Sequence, residues 1–197
     1  MTSWAKYSGK ARDWSERQYA DPGAYLRHRA ELIRTLGPSL QPGDSVLDLA
    51  CGDGALGDFL VQQRYVGVDG NEEMVEAGRS RGREIVLGDL NEYGPDAPVT
   101  TTTIFRAIYY ANDRRALFAR IRAYTEKKLV FDLNPRQYRL EDVRADLEAA
   151  GFSTLETRPF FVPQTRNVPF LTALERSGPL ADLLLRYRFT VLCAASS

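Results

Sequence analysis

The stretch Val46-Leu47-Asp48-Leu49-Ala50-Cys51-Gly52-Asp53-Gly54 constrains this chain more than any other. It reads as a buried strand that ends in an acid and then bends sharply on small residues. Ala55-Leu56-Gly57-Asp58-Phe59-Leu60-Val61 follows with helical spacing of its apolar positions, and a second apolar run, Tyr65-Val66-Gly67-Val68, ends in Asp69. Strand, glycine bend, helix and acid-tipped second strand form the nucleoside-binding half of a doubly wound sheet. Small residues let the backbone approach a ligand closely, and the second acid can accept hydrogen bonds from both ribose hydroxyls.

Two ligand classes use such a unit. A dinucleotide site needs three glycines, so that pyrophosphate can sit on the helix N-terminus. Here Asp53 lies inside the bend and Asp48 just before it. Two carboxylates there repel a pyrophosphate and suit a cation. S-adenosylmethionine carries a sulfonium and an ammonium, so electrostatics favours it over NAD.

At these residues the chain resembles the class I S-adenosylmethionine-dependent methyltransferases. Their first motif, D-x-[GA]-x-G-x-G, is matched by Asp48, Ala50, Gly52 and Gly54; the acid ending strand two by Asp69, followed by Gly70; the acid ending strand three by Asp89 in Ile85-Val86-Leu87-Gly88-Asp89-Leu90. The resemblance extends more loosely from about Tyr19 to the C-terminus. It implies a seven-stranded, mostly parallel sheet in the order 3-2-1-4-5-7-6, its last strand antiparallel, with helices on both faces. It also implies a cofactor site of Asp48, Ala50, Cys51, Gly52, Gly54, Asp69 and Gly70. Asp89 and the Leu90 amide would meet adenine, and Met74 would form an apolar wall beneath it. Similar enzymes fold an N-terminal helix over the cofactor and bind its carboxylate there; Tyr7, Tyr19, Tyr25 and Arg29 are the candidates, Tyr19 and Arg29 foremost.

The rest of the chain suits this architecture. Strand and helix patterns alternate, as expected for an α/β sheet. Asp21 can cap a helix with Pro22 at its first position that carries Tyr25 to Leu36 and stops at Gly37-Pro38. Asn71 can cap a helix through Met74, Val75 and Ala77. Strand four is expected over Thr101–Ile108, a helix capped by Asn112 or Asp113 next, strand five over Lys128–Leu133, and a helix over Leu140–Ala150 ending at Gly151. Strand six is expected over Thr154–Val162, a short helix over Val168–Ser177 and strand seven over Tyr187–Ala194. The expected organisation is one domain over 1–197, with residues 1–40 as an arm and helix over the cofactor and 41–197 as the core.

Composition narrows the function. Among 197 residues, 26 Lys and Arg balance 26 Asp and Glu, so no global field recruits nucleic acid or an anionic membrane. The two cysteines, Cys51 and Cys193, are too few for a disulfide framework, and the N-terminus lacks a signal peptide's apolar core, which points to a cytoplasmic protein. The Cys and His spacing suggests no zinc site. Asp132 and Asn134, which end strand five, resemble part of a metal-assisted catechol methyltransferase site, but the rest of that acidic set is not apparent. No metal is assigned. His28, the single histidine, is a weak candidate for general base; a surface role is favoured.

Methyl transfer requires mainly alignment, because the sulfonium is already activated. The acceptor is expected to be a small organic molecule. The [DNS]-P-P-[YF] segment of amino-methylating enzymes does not follow strand four, where Phe105-Arg106-Ala107-Ile108-Tyr109-Tyr110 stands. Two or three of Phe105, Tyr109, Tyr110, Phe160, Phe161 and Phe170 would line an acceptor pocket, and Arg106 or Arg136 would pair with an acidic acceptor. Oxygen is favoured as the methylated atom. The alternatives are an enzyme of this fold that uses the sulfonium as a fixed charge for a cyclisation, and a noncatalytic ligand-binding protein. Oligomeric state is left open.

Overall fold

The structure, a computed structural model, describes residues 19–160 and 190–195, with Leu174, Ser177, Leu180 and Leu183 between them. The strands are β1 (Ser45–Leu49), β2 (Arg64–Asp69), β3 (Ile85–Leu87), β4 (Val99–Ile104), β5 (Thr125–Leu133), β6 (Thr154–Pro159) and β7 (Thr190–Ala195). They form one sheet in the order β3-β2-β1-β4-β5-β7-β6. β1 pairs parallel with β2 and β4, β2 with β3 and β4 with β5, whereas β7 runs antiparallel to β5 and β6. The order and handedness of pairing implied by the resemblance are therefore those of the molecule.

The helices are α1 (Pro22–Thr35), α2 (Glu72–Arg79), α3 (Arg114–Tyr124) and α4 (Leu140–Ala149). Asp21, Asn71 and Asp113 cap α1, α2 and α3 by accepting from the amides of Ala24, Met74 and Ala116. Gly151, left-handed at φ 93°, follows α4. One core cluster joins Leu117, Phe118 and Ile121 of α3 and Val143 and Leu147 of α4 to Leu49, Ile104, Leu129, Phe131 and Leu192 of the sheet. A second, on the opposite face, packs Leu26, Ala30 and Ile33 of α1 onto Val46, Val130, Val191 and Cys193.

Several elements differ from expectation. Ala55–Phe59 is a 3₁₀ turn, not a helix through Val61. Only nine residues, 55–63, separate Gly54 from β2, too few for an α-helix and a return. The turn also lies flat on β2: a Cβ at Gly57 would stand 2.7 Å from the Tyr65 ring. β4 stops at Ile104 instead of Ile108 because Arg106 takes a left-handed conformation (φ 59°) that ends the ladder. β3 ends at Leu87, so Asp89 lies beyond the strand. β5 begins earlier, at Thr125. β6 ends at Pro159 and β7 begins at Thr190; the expected residues Val162 and Tyr187, and nearly all of the helix proposed over 168–177, lie outside the described residues.

Lys128, on β5, is fully buried and donates through Nζ to the Leu36 carbonyl at the C-terminal end of α1, at 2.7 Å. Burial pulls its pKa down to about 8, against about 10.4 in an unfolded chain. Between those values the unfolded state binds more protons, so Lys128 makes stability rise with pH. The Cys193 thiol, pushed up to about 11 by burial, opposes this at higher pH. Between pH 7.5 and 9 the lysine contributes about 1 kcal/mol, or about 2–4 °C of Tm. The cysteine acts in both proteins, so the wild-type minus Lys128→Met difference in melting temperature should rise by that amount between pH 7.5 and 9; parallel pH profiles would contradict it.

Candidate functional site

The carboxyl ends of β1, β2, β4 and β5 converge beneath α1. Asp48 is buried on β1, opposite Gly67 of β2 and Thr103 of β4. It accepts from the Thr103 hydroxyl at 2.7 Å and the Tyr65 hydroxyl at 2.8 Å. Even so, burial pushes its pKa up to about 6. The bend that follows holds three left-handed residues, Ala50 (φ 57°), Gly52 (φ 63°) and Gly54 (φ 70°). A non-glycine residue there costs of order 1–2 kcal/mol, and such strain clusters at functional sites.

Asp69 ends β2 and reaches back to this bend. One of its oxygens accepts from the Gly52 amide at 2.7 Å and the other from the Asn71 amide at 2.9 Å. Burial again prevails over these bonds and raises its pKa to about 6. A carboxylate has about four lone-pair sites, so each oxygen keeps capacity for a hydroxyl. Cys51 packs against Gly67, where a Cβ would stand 2.6 Å from its Sγ; burial first, then the neighbouring aspartates, hold its thiol protonated. Gly70 is half-buried, and Met74 is buried on α2.

Asp53, unlike Asp48 and Asp69, is ion-paired. Its buried carboxylate is paired with Arg81 and Arg83, both at 3.2 Å, and its carbonyl accepts from Arg83 Nη1 at 2.8 Å. Asp53 still charges the bend, where after burial and Asp48 it helps raise the Asp69 pKa, but it does so as the centre of an ion-paired cluster. The arginines lie 28 and 30 residues downstream, beyond any local pattern. The acidity at the strand ends belongs to Asp48, Asp69 and, on β5, Asp132.

Asp89 is half-buried and accepts from the Asn91 amide at 2.6 Å and its Nδ2 at 3.0 Å. Asn91 also donates to the Tyr110 carbonyl and accepts from the Asn112 amide, which ties the loop after β3 to the one after β4. The Leu90 side chain is core, and its carbonyl accepts from Arg120.

On α1, Arg29 is buried over the strand ends. Its Nη2 donates to the Tyr25 hydroxyl at 2.6 Å and lies 3.7 Å from Asp132. Its guanidinium sits 4.4 Å from the Tyr25 ring and 4.6 Å from the Phe105 ring. Tyr19 stacks on Tyr25 at 3.9 Å. Tyr65, Thr103, Asn91 and the Arg29–Asp132 pair went unread in the sequence; the alternate threonines of β4 were the one available signal.

Of the other candidates, Phe105 packs on Arg29, and Phe160 packs on Tyr25 and His28. His28 is not a surface residue: its side chain is 11% exposed, its ring lies 5.0 Å from Phe160, and its Nδ1 is 4.0 Å from Glu31. Phe105 and Phe160 are core, Tyr109 is exposed beside Tyr110, and Arg136 is exposed after β5. Tyr7, Phe161 and Phe170 lie outside the described residues. Among the described residues, no group of three or more His, Cys, Asp or Glu could hold a metal ion, and no helix is long and apolar enough to cross a membrane.

Residues 46–128, which run from β1 through β4 into the first residues of β5 and include the acidic bend, match the family described as "Methyltransferase domain". That stretch is a methyltransferase domain. An uncharacterized methyltransferase of Schizosaccharomyces pombe is 33% identical over 72 residues, 35% of this chain and 27% of that protein. Trans-aconitate 2-methyltransferase of Mycobacterium tuberculosis is 26% identical over 182 residues, 84% of this chain and 66% of that protein. The chain thus spans less than two thirds of either relative. Among solved structures, Haemonchus contortus phosphoethanolamine N-methyltransferase 2, in complex with S-adenosyl-L-methionine, superposes with a TM-score of 0.70 at 16% identity, over 100% of this chain and 60% of that one. That likeness concerns the fold.

Proposed function

We propose that the protein is a methyltransferase that binds S-adenosylmethionine at the strand ends and methylates an oxygen of a small organic acid. The observation that carries this reading is the pair of buried carboxylates, Asp48 and Asp69, flanking the left-handed bend. Burial disfavours their charge, and a nearby cation relieves that cost. An adenosyl group bearing a sulfonium and an ammonium answers this need; a pyrophosphate does not.

In this reading Asp69 accepts from the ribose hydroxyls while Ala50, Cys51, Gly52, Gly54 and Gly70 let the backbone close around the nucleoside. Asp89 and the Leu90 amide meet adenine, with Met74 beneath it. Arg29 of α1, and Tyr19 just before that helix, face the methionine carboxylate. Asp48 acts through its field and through the bend it anchors. When bound, the cofactor supplies a methyl group on a sulfonium that is already a good leaving group. The protein's task is then to align the acceptor and exclude water.

Arg106, Tyr109 and Arg136 are the proposed acceptor-binding residues. The likeness to a trans-aconitate methyltransferase supports an acidic acceptor. A carboxylate is ionised at neutral pH and needs no general base, which agrees with His28 lying against Phe160. The test is incubation with methyl-labelled S-adenosylmethionine and a panel of mono-, di- and tricarboxylic acids. Label that enters an acid and is released by alkali as methanol supports ester formation. Alkali-stable label would overturn esterification of a carboxylate, product analysis showing methyl on nitrogen or carbon would overturn the oxygen assignment, and conversion of an acceptor without S-adenosylhomocysteine would establish a non-methylating enzyme.

The same carboxylates set a pH dependence. Below about pH 6, protons compete with the cationic ligand for Asp48 and Asp69. Affinity for S-adenosylmethionine should fall about tenfold for each carboxylate between pH 7 and pH 5. Calorimetry should show this loss, with a smaller one for uncharged 5′-methylthioadenosine. A flat profile for the cation would contradict the electrostatic argument.

A further inference from the structure

Asp132 lies at the carboxyl end of β5, buried, and joins three elements of the site. It belongs to β5; its Oδ1 accepts from the Arg106 amide at 2.5 Å; its Oδ2 lies 3.7 Å from Arg29 Nη2 of α1. Arg106 is one of the two non-glycine residues with positive φ among those described, and its amide is held by this carboxylate. Nothing in the reaction as proposed uses Asp132 directly. Yet it fixes both the arginine assigned to the cofactor side and the turn that presents Arg106 on the acceptor side.

Arg29 itself is not satisfied. Its Nε is buried and has no hydrogen-bond partner among the described residues. A buried donor in that state is costly, because it has lost water without gaining a partner. Asp132, too far at 3.7 Å for a good hydrogen bond, holds the guanidinium by charge and leaves Nε uncommitted, while Nη2 donates to the Tyr25 hydroxyl. The rings of Tyr25 and Phe105 keep the guanidinium in place. This is the arrangement of a preorganised carboxylate receptor: a fork locked in orientation with a donor to spare.

We propose that Asp132 is a positioning residue that orients Arg29 so that its unpartnered Nε can take the carboxylate of the bound ligand's amino-acid portion. The inference rests on the adenosyl reading above, and two ligands separate the two. S-adenosylhomocysteine carries the amino-acid carboxylate, whereas 5′-methylthioadenosine presents the nucleoside and thioether without it. Asp132→Asn keeps the shape and an oxygen for the Arg106 amide but removes the charge that steers Arg29.

Calorimetric titration of wild type, Asp132→Asn, Arg29→Gln and the double variant tests the proposal. Asp132→Asn is expected to weaken S-adenosylhomocysteine about tenfold and 5′-methylthioadenosine less than about twofold. In the Arg29→Gln background, Asp132→Asn should add less than about twofold, because the residue acts through Arg29. Equal losses for both ligands, no loss for either, or effects that multiply in the double variant would overturn the role. Should Asp132→Asn not fold, Arg29→Lys, which keeps the charge and loses the planar fork, must still show the selective loss of S-adenosylhomocysteine. Wild-type protein that binds neither ligand defeats the adenosyl reading instead, and this role with it.

Discussion

Asp69→Ala is expected to reduce affinity for S-adenosylhomocysteine about 30- to 150-fold while leaving the unliganded protein nearly as stable as wild type. The affinity term follows from the two hydroxyls that Asp69 is proposed to accept; hydrogen bonds to a charged group contribute roughly 1.5–3 kcal/mol, and about 2–3 kcal/mol in total corresponds to that range. The stability term is a balance. Removing the carboxylate strands the Gly52 and Asn71 amides that donate to it, each worth roughly 1–3 kcal/mol if left unpaired. It also removes a buried charge whose pKa of about 6 shows that folding works against its ionisation. These terms oppose each other, so the melting temperature should stay within a few degrees. Calorimetry and a thermal melt on the same preparation check both halves. A variant that melts normally and binds normally would remove Asp69 from the site.

Gly78→Val should cost substantial stability without touching the strand ends. Gly78 sits on α2, and a Cβ there would lie 2.1 Å from Ile85 Cδ1 and 2.6 Å from the carbonyl oxygen of Asp53. The isoleucine can rotate, but the carbonyl is backbone in the acidic bend and is held by Arg83. The helix must therefore lift off the bend or push it toward the site. Overpacking of this kind costs about 3 kcal/mol, or about 6–12 °C in a chain of this size. Because the bend itself moves, ligand affinity should fall with stability. That separates Gly78→Val from Asp69→Ala, where the two are uncoupled. A melting temperature within about 2 °C of wild type would contradict the packing described here.

The two variants also show where the sequence was readable. The acidic bend, the acid-tipped strands and the three aspartate or asparagine caps are written in local order. A cap is a side-chain oxygen directly before an apolar period, and a bend is a run of small residues directly after a buried one. Strand order followed from the resemblance those motifs carry. What escaped reading depends on partners far apart in the chain. Asp53 looked like part of the ligand's charge field, yet Arg81 and Arg83 pair with it. Asp132 looked like a fragment of a metal site, yet it faces Arg29, 103 positions earlier. The left-handed conformation of Arg106 has no signature, because a residue with a large side chain gives no warning of positive φ; the Asp132 carboxylate that accepts its amide holds it there. The 3₁₀ turn over Ala55–Phe59 was hidden for another reason: apolar spacing over seven residues fits several helical periods, and the short path to β2 selects among them.

The most direct test of the account is calorimetric titration of the wild-type protein with S-adenosylmethionine at pH 7.5, beside NAD under the same conditions. Saturable binding of S-adenosylmethionine, with no heat from NAD at the same concentrations, is the predicted result. Binding of NAD, or silence toward S-adenosylmethionine at millimolar concentration, would contradict the claim that Asp48 and Asp69 receive a cationic nucleoside at the ends of β1 and β2.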